Sequence, residues 1–177
     1  MREKREHEEI CGEVPRRFRH AGFFNPPKKW LAEAGVKRGY VVLDFGCGHG
    51  AFTDAAAKVV GREGRVYALD ADAEAILAVE EKARRKKLSN VTTIRSDGPT
   101  GLPDASVDVV LLYDCYHELD APESVRRELA RVLKGGGKLS FADHHLPEKE
   151  IIAALTGPPL FALSRKYKRT YSFVKTG

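Results

Sequence analysis

The stretch that decides the fold is "VVLDFGCGHGAF", residues 41–52, an apolar run ending in an acid and three alternate glycines. A short apolar run closed by glycines reads as a buried strand. A glycine loop behind a strand lets the backbone approach a ligand closely. Walker-type phosphate loops need a lysine and a hydroxyl after the last glycine. Here Gly50 is followed by Ala51 and Phe52, which argues against a nucleotide triphosphatase. A dinucleotide fingerprint stays open on spacing alone: Gly46, Gly48 and Ala51 satisfy G-x-G-x-x-G/A, and Asp70 stands where a ribose-binding acid belongs.

Working outward, strands alternate with helices. The sequence predicts strands at 40–45, 65–70, 90–96, 106–114 and 138–143. Between them it predicts helices at 26–34, 51–61, 72–87, 121–134 and from Pro147 to about 156. Asn25 caps the first helix and Gly35 ends it. Ile76, Leu77, Val79, Glu80 and Ala83 recur at helical spacing, as do Val125, Leu129, Val132 and Leu133. Asp120 and Glu123 form a capping box, and the triple glycine 135–137 closes the helix at 121–134. "PLFALSRKY" and "RTYSFVK" form a C-terminal antiparallel hairpin. Such alternation means a doubly wound, mostly parallel α/β sheet with helices on both faces. Its ligands sit at the carboxyl ends of the strands.

The chain has 177 residues, one domain's worth, with an ordinary 42% apolar content. We divide it into an N-terminal arm or lid, 1–25, and a single domain, 26–177. No apolar run approaches the ~20 residues that span a bilayer. The start, "MREKREHEEI", lacks a signal region. Cys11, Cys47 and Cys115 have no CxxC spacing, which fits a reducing cytoplasm and no disulfide framework. The net charge is +5, concentrated in "PRRFRH", "ARRKK" and "SRKYKR". Nearly as many acids accompany these bases, so "ARRKK" reads as a solvated helix face and "SRKYKR" as charges guarding a sheet edge.

Asp44, two residues before Gly46, turns the loop into D-x-G-x-G-x-G. With this acid the chain resembles the class I S-adenosylmethionine-dependent methyltransferases, in particular the small quinone-biosynthesis and arsenite-type group. "YALDADAEAI", "IRSDG", "LPDASVDVVLLYDCYHEL" and "LARVLKGGGKLSFAD" resemble the family's later motifs, in order. The resemblance implies a Rossmann-like seven-stranded sheet, its seventh strand antiparallel between the fifth and sixth. It implies S-adenosyl-L-methionine as cofactor and S-adenosyl-L-homocysteine as product. The implied cofactor-binding residues are Asp44, Gly46, Cys47, Gly48, Gly50, Asp70, Ala71, Asp97, Gly98, Tyr113 and Asp114. Asp70 and Ala71 lie at the ribose, Asp97 and Gly98 at the adenine, and the Tyr113–Asp114 backbone at the methionine part. A cofactor with no phosphate needs no lysine in the loop, and acids suit its cationic sulfonium and ammonium.

"NPPKKW", 25–30, resembles the base-stacking motif of amino-group methyltransferases, but it precedes the glycine loop and has Lys28 at its fourth position. The helix-cap reading wins. His117, Glu118 and His144 stand on the active rim as candidates for a general base. His144 and His145 are adjacent on an extended chain and should point opposite ways, so no metal is assigned. Cys47 reads as packing. Trp30, Phe23 and Phe24 read as sealing the sheet edge or a lid. With no insertion after the fourth or fifth strand, a small-molecule methyl acceptor is favoured. RNA or protein docked on the basic arm, and a non-catalytic S-adenosylmethionine sensor, are the alternatives. The assembly is a monomer or homodimer.

Overall fold

The computed structural model describes residues 27–157 and 160–176. The arm at 1–25, with Cys11, Phe23, Phe24 and the Asn25 cap, lies outside the described residues. Helices α1 (Pro27–Ala34), α2 (Ala51–Val60), α3 (Ala73–Arg85), α4 (Pro122–Val132) and α5 (Glu148–Thr156) alternate with strands. The strands are β1 (Val41–Phe45), β2 (Arg65–Asp70), β3 (Val91–Arg95), β4 (Val107–Tyr113), β5 (Leu133–Ala142), β6 (Phe161–Lys166) and β7 (Tyr171–Lys175). They form one sheet in the order β3-β2-β1-β4-β5-β7-β6. β7 runs antiparallel to both β5 and β6, and the pairings from β3 across to β5 are parallel. This is the seven-stranded, Rossmann-like arrangement the motifs imply.

Strand alternation distributes the core to two faces. Val109, Leu111 and Tyr113 of β4 join Trp30 and Leu31 of α1 and Ala56, Ala57 and Val60 of α2 on one face. Val110 and Leu112 join Val125 and Leu129 of α4 and Ile151 and Leu155 of α5 on the other. A strand buried on both faces must be apolar throughout, which is why "VDVVLLY" reads so. Arg126, buried in α4, donates to the carbonyls of Ala154 and Gly157 and so satisfies the end of α5. At the sheet edge, Arg165 and Lys166 of β6 are exposed, the position of charges that discourage edge pairing.

Four local expectations are corrected. α4 stops at Val132, because the chain enters β5 at Leu133. The triple glycine does not end the helix; Val107 pairs with Leu133 and Val109 with Lys138, so 134–137 bulge out of β5, with Gly136 at φ +75°. The Asp120–Glu123 capping box does not form: Ala121 is the N-cap residue without a side-chain bond, Pro122 opens the helix, and Glu123 pairs with Arg126 and Arg127 instead. On α3 the inward stripe is Ala75, Ile76 and Val79, while Leu77 is 63% exposed. Lastly, the chain beyond Ala142 is a turn rather than extended, which brings His144 and His145 together.

Candidate cofactor and acceptor site

The glycine loop is tied down by its neighbours at the ends of β1 and β2. The Gly46 and Cys47 N–H groups donate to the Leu69 carbonyl at 2.8 and 2.9 Å. The Gly48 N–H donates to Asp70 Oδ2 at 2.8 Å, and the Asp72 N–H to Asp70 Oδ1 at 3.0 Å. Lys82 of α3 reaches over to the His49 carbonyl. Gly46, Gly48 and Gly50 all have positive φ, 73°, 49° and 71°, a region that L side chains avoid. Space excludes side chains as well. A Cβ on Gly46 would lie 2.6 Å from Cys115 Sγ, and one on Gly50 2.8 Å from Val79 Cγ2.

Beneath the loop, Asp44 is buried and accepts the Thr53 hydroxyl at 2.5 Å. Burial, only partly offset by the Thr53 bonds and reinforced by the charge of Asp70, pushes its carboxyl up to about 6. Burial also pushes both thiols far up, with the nearby carboxylates adding to it. Cys47 packs on Ala68, Ile76 and Val79. Cys115 donates to the Phe45 carbonyl at 3.3 Å. Neither is a thiolate nucleophile.

A cavity of about 790 Å³ opens at the carboxyl ends of β1, β2, β3 and β4. Gly46, Asp70, Ala71, Asp97, Gly98 and Asp114 line it. Asp44, Cys47, Gly48, Gly50 and Tyr113 do not; they lie behind the wall as its support. The Tyr113 ring instead packs against Trp30 and Phe52 at 5.0 and 4.7 Å, and its hydroxyl meets Ser140 at 2.7 Å. Trp30 is therefore interior on the α1–α2 face. Among the described residues, the wall carries seven carboxylates and no lysine or arginine. Such a wall repels a pyrophosphate and suits a cationic, phosphate-free ligand. The residues present thus fit S-adenosylmethionine.

Glu118 and Asp114 lie on the cavity wall. His117 shares the 3-10 turn Tyr116–Glu118 with Glu118, but neither it nor His144 is among the residues lining the cavity. The structure brings His117 and His144 together through His145, whose ring centroid is 4.1 Å from the first and 3.9 Å from the second. His117 Nδ1 meets Asp143 Oδ2 at 2.9 Å and His144 Nδ1 meets Asp114 Oδ1 at 2.8 Å. Asp114, Asp143 and His144 each bring a ligand-type atom within 4.8 Å of the others. These atoms are engaged by hydrogen bonds to the neighbouring imidazoles and amides, so we read a polar network and assign no ion. Sequence reasoning did not single out Asp143. Its signal was an acid closing an otherwise apolar strand, followed at once by two histidines. No described helix is long and apolar enough to cross a membrane.

A doubly wound sheet with a glycine loop at its switch point, facing an acidic cavity, defines a domain that binds a nucleoside-bearing cofactor. Residues 43–141 match the methyltransferase domain family, more than half of the chain. A demethylmenaquinone methyltransferase of Lactobacillus johnsonii is 32% identical over 127 residues, covering 71% of this chain and 52% of that one. The ubiquinone/menaquinone biosynthesis C-methyltransferase UbiE of Pseudoalteromonas translucida is 27% identical over 128 residues, covering 71% and 51%. The chain spans about half the length of these curated relatives. A solved SAM-dependent methyltransferase from Aquifex aeolicus superposes with a TM-score of 0.78 at 24% identity, covering 96% of this chain and 97% of that one, a likeness of fold. The chain belongs to the class I S-adenosylmethionine-dependent methyltransferase family.

Proposed function

We propose that the protein transfers a methyl group from S-adenosylmethionine to a small-molecule acceptor of quinol type. The observation that carries the reading is the cavity of about 790 Å³ at the end of a glycine loop, whose described lining has seven carboxylates and no lysine or arginine. When bound, S-adenosylmethionine supplies a methyl on an activated sulfonium. The chain's own contribution is then placement and exclusion of water.

Asp70 keeps its remaining lone pairs for the two ribose hydroxyls while its other contacts hold Gly48 and Asp72. Asp97 and Gly98 border the adenine, and Gly46 gives the methionine part its close approach to the backbone. Asp44 acts from beneath, fixing the loop through Thr53 and adding negative potential under a cationic ligand. Glu118, Asp114 and the histidines lie where the acceptor meets the methyl. The names of the relatives at 32% and 27% identity favour a small aromatic acceptor.

The test is incubation with methyl-labelled cofactor and 1,4-naphthalenediol, alongside extracted metabolite and RNA pools. Label in a small aromatic product is expected. Label in RNA alone overturns the acceptor class. Binding of S-adenosylhomocysteine with no labelled product in any pool makes the protein a sensor rather than a transferase.

A further inference from the structure

Asp143, the residue that follows β5, has a side chain fully shielded from solvent. Its Oδ1 accepts the His145 N–H at 3.0 Å, and its Oδ2 accepts the His117 N–H at 3.2 Å. Oδ2 also meets His117 Nδ1 at 2.9 Å. A carboxylate with both oxygens turned to backbone donors is an acceptor only, so Nδ1 of His117 carries the ring proton and donates it. Nε2 is then left with its lone pair. That nitrogen lies 3.8 Å from Glu118 Oε1, and Glu118 stands on the cavity wall. The His145 ring lies against that of His117, tilted by 39° with centroids 4.1 Å apart, and limits its rotation.

We propose that His117 is the general base of the methyl transfer and Asp143 its positioning residue. The proposal rests on the methyl-transfer reading above and deepens it. The charged and titratable groups facing the imidazole come from three places. Asp143 directly follows β5, and His145, with the His144 ring tilted against it, lies in the same turn. Glu118 shares its turn with His117, and Asp114, at the end of β4, anchors His144. Two residues of the network are less suited to the task. His144 is half exposed and its anchor Asp114 faces the cofactor cavity, and Glu118 is likewise half exposed. The His117 side chain is only one-fifth exposed, and its Nδ1 edge is fixed by Asp143.

The acceptor class follows: a molecule whose attacking atom gains its electron pair by losing a proton, a hydroxyl or an enol. In the step, the acceptor's O–H bond breaks and its proton goes to Nε2. The freed electron pair forms the new bond to the methyl, directly from oxygen or through the conjugated carbon. The carbon–sulfur bond breaks with its electrons staying on sulfur, and S-adenosylhomocysteine departs. Nε2 returns the proton to solvent; for attack through carbon, the proton on that carbon is lost and the enol restored.

The experiment has two arms on the full chain. In the first, 15N-histidine-labelled protein is read by long-range proton–nitrogen correlation, which reports the tautomer without any acceptor. The Nδ1–H tautomer is expected for His117, with its downfield proton lost in Asp143→Asn; an Nε2–H tautomer in the wild type overturns the proposal. In the second, transfer from labelled cofactor to 1,4-naphthalenediol is followed in His117→Gln. The kcat should fall about 100-fold, with KM within about threefold and S-adenosylhomocysteine affinity within about twofold of wild type. Unchanged kcat, or a larger loss in His144→Gln than in His117→Gln, overturns it. Failure of the wild type to bind S-adenosylhomocysteine sinks the underlying reading instead, so the two failures are separable.

Discussion

Replacing Asp44 by asparagine should make the ligand-free protein more stable, and more so as the pH rises. Asp44 is 3% exposed, and burial moves its carboxyl from an ordinary 3.8 to about 6. A raised folded-state value means that the neutral form is the favoured one inside. The group's contribution is therefore fully present below about 3.8 and is lost as the pH rises through about 6. Each pH unit of difference corresponds to ~1.4 kcal/mol, so holding Asp44 ionised at pH 8 costs roughly 3 kcal/mol. Asparagine keeps an oxygen to accept the Thr53 hydroxyl and carries no charge. Whatever fixed cost its amide N–H₂ brings is independent of pH, so the pH-dependent part isolates the carboxylate. The assay is urea unfolding of wild type and Asp44→Asn followed by the fluorescence of Trp30, the sole tryptophan, at about pH 4.5 and 8. About 1 kcal/mol of that cost is already incurred at pH 4.5, so the stability difference should move in the variant's favour by ~2 kcal/mol between the two. A difference that does not change with pH would refute the buried, ionisable Asp44. The same variant should bind S-adenosylmethionine more weakly at pH 8, because the negative charge under the loop is gone.

Other substitutions separate support of the loop from contact with the ligand. Asp70→Ala removes two acceptors for ribose hydroxyls and should weaken S-adenosylhomocysteine binding by roughly 2–4 kcal/mol in calorimetry. It also frees the Gly48 and Asp72 amides, so thermal stability should fall modestly; unchanged affinity in a folded variant would place the ribose elsewhere. Gly48→Val puts a branched residue at φ +49°, a strain of ~1–3 kcal/mol that a domain survives. Because the Gly48 N–H holds Asp70 from behind the wall, the variant should fold yet lose its thermal shift with S-adenosylhomocysteine, while Cys47→Ala keeps it; a normal shift in Gly48→Val would show that the ligand does not depend on that brace. Arg126→Leu strands the Ala154 and Gly157 carbonyls at the end of α5 and should cost ~2–4 kcal/mol in urea unfolding. Wild-type stability would mean those carbonyls find other partners.

The sequence was most informative where local chemistry has one solution. The strand–glycine–helix at 41–60 and the buried strand "VDVVLLY" left few alternatives, because apolar continuity and alternate glycines fit little else. Ends of elements were less legible. Leu133 closes an amphipathic stripe and opens a strand equally well, and pairing with Val107 decides between them. Pro122 displaced the expected capping box because it pre-sets the first helical turn. In the site, Asp70, Asp97 and Asp114 could be read from strand ends, whereas Asp72, Glu74 and Asp120 join the wall only through the fold. Which loop residues face the ligand and which brace it from behind could not, since Gly46 and Gly48 alternate along one short turn. The imidazole network was hidden for a similar reason: an extended reading separates His144 from His145, and only the turn after Ala142 brings their rings into contact.

The most direct test of the account is calorimetric titration of the wild-type chain with S-adenosylhomocysteine and, in parallel, with NAD. An acidic cavity with no lysine or arginine among its described lining residues predicts binding of S-adenosylhomocysteine at roughly micromolar Kd and much weaker binding of NAD. Tight binding of NAD with no heat from S-adenosylhomocysteine would contradict it.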